Sequence, residues 1–366
     1  IRDRNKGGAY SEAAVLYRSN AQSRAIEEAL LRISIPYRIY GGLRFYERLE
    51  IKNAIAYLKI IFNNNDNPSF ERSISNPTRG VGEKTLGKIR QTAHKYNISY
   101  IKASAKLIDE GSISGRGGSG LRDYLEFVAG CKSFIKDNSL SDLMELIIKE
   151  SGLYSYHAKE AGEKGKTRTE NLEELITATK NFEQSVKEDK TNNEIAENYL
   201  DVISLDAGDR QAAEHDDAAQ LMTMHSAKGL EFKLVLLTGL EESLFPHGRS
   251  MESASQLEEE RRLLYVAITR AIKKVHISYA LNRFKFGTII NSTKSFFIEE
   301  IEHYLDKEHD TFTRSNALVI VCNFFCPQTV NPLPGINAIG LILFVYNTSR
   351  CPWFNTSGTY SPSASI

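Results

Sequence analysis

Residues 220–273, QLMTMHSAKGLEFKLVLLTGL…LEEERRLLYVAITRAIKK, hold the groups best able to handle a phosphate. His225-Ser226-Ala227-Lys228-Gly229 is a short polar turn, rich in hydrogen-bond donors and ended by glycine. It lies between two apolar, β-branched runs of buried-strand type, 221–224 and 234–238. Residues 257–272 have helical spacing, with Leu264, Ala267, Ile268 and Ala271 on one face and Arg262, Thr269 and Arg270 elsewhere on the helix. A strand, a donor-rich turn, a second strand and an arginine-ended helix form the layer with which an α/β nucleotide-binding fold meets phosphate.

The rest of the chain must position this layer. Its 366 residues suit two or three domains; 41% are apolar, 25% charged, and the formal net charge is zero. That balance neither suggests nor excludes nucleic acid, because local patches decide. Residues 13–17 read as a strand, and Ser19 and Asn20 offer N-caps to a helix at 21–32 with Ile26, Ala29 and Leu30 on its apolar face. A second strand at 35–42 and an amphipathic helix at 43–61 complete half of a parallel sheet. The polar break at 63–70 marks a boundary. From 64 to 217 the pattern is helical, which predicts an all-α domain inserted between two parts of an α/β domain, 1–63 and 218–305.

Within that insertion Gly80-Val81-Gly82 separates two helices, the second opening with Glu83, Lys84 and Thr85. Glycines let a backbone approach phosphate, and a helix N-terminus presents N–H donors to it. Residues 68–106 carry eight Lys and Arg, Arg79 and Lys84 among them, against two acids, an electrostatic footprint for a sugar-phosphate backbone. Two further motifs carry less. Gly115-Arg116-Gly117-Gly118-Ser119-Gly120 fits the dinucleotide fingerprint G-x-G-x-x-G but lies between helical stretches rather than after a strand, so it reads as a flexible interhelical loop. Residues 162–167, GEKGKT, end like a Walker A loop, but Glu160 stands where its first glycine belongs, so they read as a basic loop before a helix. Residues 186–217 hold ten acids against three basic residues and read as a solvated return to the α/β domain.

TMHSAKGLEF resembles motif V, and EEERRLLYVAITRA motif VI, of the superfamily 1 DNA helicases of the UvrD/Rep/PcrA type. The run from YRSNAQSR to NAIAYLKI, the Gly80-Val81-Gly82 turn and YHAKEAGEKGKTRTENLEEL are similar to the same family. The resemblance implies an α/β RecA-like second motor domain of the P-loop NTPase type, carrying a parallel sheet and interrupted by an all-α inserted domain. It implies ATP with Mg²⁺ clamped between two such domains and movement along single-stranded DNA in the 3′→5′ direction. Arg270 matches the arginine that reaches the γ-phosphate, Glu231 the acid near the ribose hydroxyl, and Gly229 the close approach to the nucleotide. Thr223, His225 and Ser226 match positions around the DNA strand, and His247 and Phe286 match positions that stack on bases. Arg44 and Arg48 lie in a region that touches single-stranded DNA in relatives, while Gly80 and Gly82 match the element that holds duplex DNA without reading sequence.

The sequence has no G-x-x-x-x-G-K-[ST] and no Asp-Glu pair at a strand end. With the start at Ile1, this predicts the C-terminal part of a helicase that does not hydrolyse ATP alone, its N-terminal motor domain being the required partner. Repair proteins are further implied partners. A non-enzymatic DNA-binding fragment and a degenerate gene product are the alternatives. Residues 306–366 fall outside the resemblance: 311–366 contain Arg314 and Arg350 but no acid, and five of nine prolines lie beyond 326, so an aberrant, disordered tail is expected. Its apolar runs are about half the roughly 20 residues that span a bilayer. Cys131, Cys322, Cys326 and Cys351 form no metal-ligand pattern with histidine, and a reduced, cytoplasmic setting without membrane insertion is expected.

Overall fold

A computed structural model of the protein describes residues 8–186, 190–208, 216–285, 288–301 and 317–323. The chain divides into an α/β unit, made of residues up to 42 and from 211 onward, and a helical unit built on 43–210.

The α/β unit opens with β1 (Ala13–Tyr17), α1 (Ser23–Arg32) and β2 (Tyr37–Ile39). All five residues of β1 are buried, as expected for a central strand covered on both faces. Ser19 closes a capping box with Gln22, which starts the 3₁₀ turn Asn20–Gln22 ahead of α1.

The helical unit follows with α2 (Leu49–Phe62), α3 (Asn67–Ser75), α4 (Glu83–Tyr96), α5 (Tyr100–Asp109), α6 (Gly115–Phe134), α7 (Leu140–Glu150), α8 (Leu153–Ala158), α9 (Glu163–Ser185) and α10 (Asn192–Gly208). Here α2 is buried more completely than the amphipathic helix that its sequence suggested. Ten of its 14 residues are buried, and Ile51, Ile55, Leu58 and Ile61 belong to the apolar core that also holds Phe70, Leu121, Tyr124 and Leu172. The division therefore falls at 42/43 rather than at the polar break after 62, because an all-round apolar helix needs neighbours on every side.

Two loop assignments change with it. Gly115–Gly120 is the opening of α6, and Glu163 to Thr167 is the opening of α9. In both, missing Cβ atoms let a helix start press against backbone. A Cβ on Gly120 would collide with the Arg79 carbonyl oxygen, and one on Gly165 with that of Glu160.

The chain then returns through β3 (Ala219–Thr223), β4 (Phe232–Thr238), α11 (Ala254–Ile268), β5 (Ala271–Ala280), the pair β6 (Asn282–Lys285) and β7 (Thr288–Asn291), α12 (Phe296–Ile301) and β8 (Ala317–Asn323). The sheet order is β2-β3-β1-β4-β5-β8, with β2 to β5 parallel and β8 antiparallel on the edge. The last strand lies in the tail from which no structure was expected. Helix α11 stops at Ile268 and β5 begins at Ala271, so Arg270 sits in the turn between them rather than on the helix. No helix among the described residues is long and apolar enough to cross a membrane.

Candidate functional site

In the α/β unit the parallel strands define two edges. Tyr17 pairs in register with Thr223, and Ala13 with Leu234. Thr223 thus ends β3 at the C-terminal edge, while Phe232 starts β4 six residue steps lower, about 20 Å away at a strand rise of ~3.3 Å. Residues 224–231 carry the chain back across that distance. Met224 and Ala227 are fully buried and anchor this crossover in the core, leaving its polar groups outside.

At the C-terminal edge the Thr223 and Ser226 hydroxyls lie 2.9 Å apart, and the Ser226 N–H donates to Thr223 Oγ1 at 3.2 Å. Gly41, with φ +72°, passes the same serine, where a Cβ would stand 3.5 Å from Ser226 Oγ. His225 is exposed. His247 is half-buried, and its ring Nδ1 accepts the Arg249 N–H at 3.4 Å, starting a 3₁₀ turn. Thr223, Ser226 and His225 are therefore brought together. Open α/β sheets bind ligands at this edge.

The N-terminal edge gathers Gly229, Glu231 and Arg270. Gly229 adopts φ +84° with no atom within 4 Å of a would-be Cβ, so the backbone conformation requires glycine here and the space in front is open. Glu231 is exposed. Arg270 donates from Nε to the Val266 carbonyl (3.0 Å), from one terminal nitrogen to the Leu230 carbonyl (3.1 Å) and from the other to Thr269 Oγ1 (3.1 Å). A guanidinium has five N–H groups, so two remain, on a half-buried side chain held in one orientation.

Arg18, just past β1, is a residue that sequence reading missed. Its Nε and a terminal nitrogen grip both oxygens of Glu260 at 2.7 to 3.1 Å, and Glu260 is 5% exposed. The pair clamps α11 to the strand end. The signal was present: Glu260 falls at helical spacing from Leu264, Ala267 and Ile268, and an acid on an apolar face needs a buried partner.

In the helical unit Gly80 takes φ +75° and Gly82 caps α4 without a side-chain acceptor. Lys84 is exposed, as is Gly82. Arg79 does not join them. Its guanidinium donates to the carbonyls of Ser73 (3.2 Å), Pro77 (3.0 Å) and Ser151 (2.7 Å) and stacks between Tyr57 and Tyr124, 5.5 Å from each ring centroid. Burial pushes both phenols up in pKa. Arg79 thus braces the turn from inside, its guanidinium engaged by the protein's own carbonyls and rings.

Arg48 is turned inward as well. It is 8% exposed, donates to Asn171 Oδ1 at 2.9 Å and lies over the Phe45 ring. Asn171 in turn donates to buried Glu50 (2.6 Å), and Arg168 binds Glu160, which also meets His157 at 2.7 Å. These contacts hold Glu160 below the usual carboxylate range, through the His157 hydrogen bond first. Arg44 is likewise buried. Of the basic residues of 159–168, Arg168 is turned inward onto Glu160, while Lys159 and Lys164 are exposed. Phe286 lies outside the described residues.

A UvrD-like helicase C-terminal domain model matches residues 1–113 and 123–282. The chain belongs to that family. It is 46% identical to DNA helicase II of Escherichia coli over 297 residues, 81% of this chain and 41% of that protein. It is 46% identical to DNA helicase II of Haemophilus influenzae over 320 residues (86% and 44%) and 40% identical to the ATP-dependent DNA helicase PcrA of Leuconostoc citreum over 294 (80% and 39%). The chain thus spans about two fifths of the length of these curated relatives. The α/β unit is the family's RecA-like layer, and the stretches 223–232 and 258–271 that resemble motifs V and VI lie within the matched residues.

Proposed function

We propose that this chain supplies the second motor domain and the duplex-gripping insertion of an ATP-dependent 3′→5′ DNA helicase acting in repair or replication, in a cytoplasmic setting. One observation carries the reading. The eight residues 224–231 join hydroxyl and imidazole donors at one sheet edge to the carbonyl that holds Arg270 at the other. A single short segment therefore reports on both edges.

Bound ATP supplies the phosphoryl group whose hydrolysis drives stepping. The two unspent N–H groups of Arg270 suit its oxygens, because a planar guanidinium stabilises charge spread over transferred phosphoryl oxygens. Exposed Glu231 suits a ribose hydroxyl as acceptor, with Gly229 leaving room beside it. Any pull on Arg270 acts on the Leu230 carbonyl, and through 224–229 on Ser226 and His225, where single-stranded DNA phosphates would bind. His247 and Phe286 would stack on bases. In the insertion, Gly80, Gly82 and Lys84 would hold the duplex backbone. Among the described residues there is no group of three or more His, Cys, Asp or Glu that could hold a metal ion, and no step is assigned to Mg²⁺, which the N-terminal motor domain would mostly hold.

The chain alone is expected not to turn over ATP, because its sequence contains no phosphate-cradling G-x-x-x-x-G-K-[ST]. The purified 366-residue chain should bind tailed duplex DNA with a steep negative slope of log K on log salt, and show no DNA-stimulated ATP hydrolysis. A flat slope overturns the DNA-binding reading; measurable hydrolysis overturns the need for a partner domain.

A further inference from the structure

The glycine-rich sextet 115–120 is absorbed neither by a dinucleotide site nor by a loop, and its packing gives it a purpose. Each of three glycines meets backbone. A Cβ on Gly120 would collide with the Arg79 carbonyl oxygen, one on Gly117 would stand 3.2 Å from the Gly80 carbonyl oxygen, and one on Gly118 2.8 Å from that of Ile113. The start of α6 is therefore pressed against the 79–80 peptide, at a distance that no side chain at position 120 permits and that is tight at 117.

That approach lays Arg116 across Gly80. A Cβ on Gly80 would come within 2.8, 3.2 and 3.3 Å of Arg116 Cγ, Cδ and Nε. The arginine stem thus occupies the space that the bare Gly80 leaves open. Arg116 is exposed, and among the described residues its guanidinium makes no hydrogen bond, ion pair or ring contact. All five donors are unspent, in contrast to Arg79 beneath the same turn.

The surroundings favour an anion. Lys84 is exposed on the first turn of α4, and Lys88, one turn on, donates to the Ser112 carbonyl at 2.9 Å, which ties α4 to the loop entering α6. The acid nearest the turn, Glu83, is paired with Arg90, which also binds Glu71 at 2.6 and 2.9 Å. Glu110, at the end of α5, is paired with Lys106.

We infer that Arg116 is a duplex phosphate contact, mounted on the Gly80-Val81-Gly82 turn by the glycines that open α6. The inference rests on the DNA-binding reading above and adds a residue to it. The contact is to backbone rather than base, because a single guanidinium mounted on a peptide turn supplies charge and donors to phosphate oxygens, the contacts that position a protein on a duplex without reading its sequence.

The experiment is a salt series of binding isotherms for the full chain with duplex DNA bearing a 3′ tail, using several unrelated sequences. Arg116→Gln, on an exposed side chain, should leave the circular dichroism spectrum unchanged. It should make the slope of log K on log salt shallower by about 0.9, the share of one phosphate, and weaken all sequences alike. Arg116→Lys should keep the slope. If Arg116→Gln matches the parent while Lys84→Gln flattens the slope, the assignment of Arg116 falls and the DNA-binding reading stands. A parent chain without salt-dependent binding overturns both.

Discussion

The turn at 223–231 in the α/β unit and the turn at 79–84 in the helical unit both pair glycines with an arginine, yet they are stiffened in opposite ways. The first is held by side chains: a Thr223–Ser226 hydroxyl pair at one end and Arg270 bonded to Leu230 at the other, with open space beside Gly229. The second is held by backbone contact, with the glycines of α6 pressed on Arg79 and Gly80 and the Arg79 guanidinium locked below between two tyrosines. The first geometry leaves donors on a segment whose ends can respond to each other. The second fixes a rigid platform. Side-chain tethers can be exchanged for ligand contacts where packed backbone cannot.

Substituting the glycines tests this contrast most severely. Gly120→Ala drives a methyl into the Arg79 carbonyl and should cost about 3 kcal/mol of stability, the upper range for overpacking. Gly229→Ala meets no atom and should cost only the left-handed backbone penalty, about 1–2 kcal/mol. Urea unfolding of each variant measures both, and equal losses would erase the distinction between the two turns.

The arginines come next. Arg79→Ala removes three bonds to carbonyls and two ring contacts and should cost about 2 kcal/mol. Arg270→Ala, whose acceptors are half-exposed, should cost about 1 kcal/mol by the same reasoning. The same unfolding series compares them. A larger loss at Arg270 would make it a brace like Arg79 and weaken its role at a phosphate.

The smallest effect separates the units by pH. Burial, with Lys274 next, pushes His276 in β5 down to about 4, from an ordinary 6.5. A histidine kept neutral by the fold contributes stability above pH 6.5, and that contribution is lost as pH falls toward 4. Glu160 in the helical unit, held below its ordinary 4.5, acts in the same direction but only at lower pH. Amide hydrogen exchange at pH 7 and pH 5 should show protection falling in the α/β unit first, and His276→Asn should remove that difference.

Much of the α/β site was legible because its chemistry is local. The donor-rich turn at 225–229, the apolar runs beside it and the arginine closing the next element lie within one stretch, and strand periodicity places that stretch in a sheet. Arginines were read less well. Arg48, Arg79, Arg116 and Arg270 share one side-chain chemistry, and whether a guanidinium faces ligand or its own carbonyls depends on partners as distant as Asn171 for Arg48 and Ser151 for Arg79. The glycine sextet misled for a related reason. Glycine lowers helix propensity, so 115–120 reads as loop, but the close approach of another peptide more than offsets that cost.

By itself the sequence determined the family, the alternation of an α/β layer with a helical insertion, and the residue types of the stretches at 223–232 and 258–271, because motifs and hydrophobic periodicity are properties of neighbouring residues. Only the tertiary structure decided that the 223–231 turn spans the sheet, with its hydroxyl end at one edge and its glycine end at the other. Only it decided that α2 belongs to the helical core, and that Arg79 braces where Arg116 is presented. These depend on strand register and on which backbones touch, both of which are set by residues tens to hundreds of positions apart.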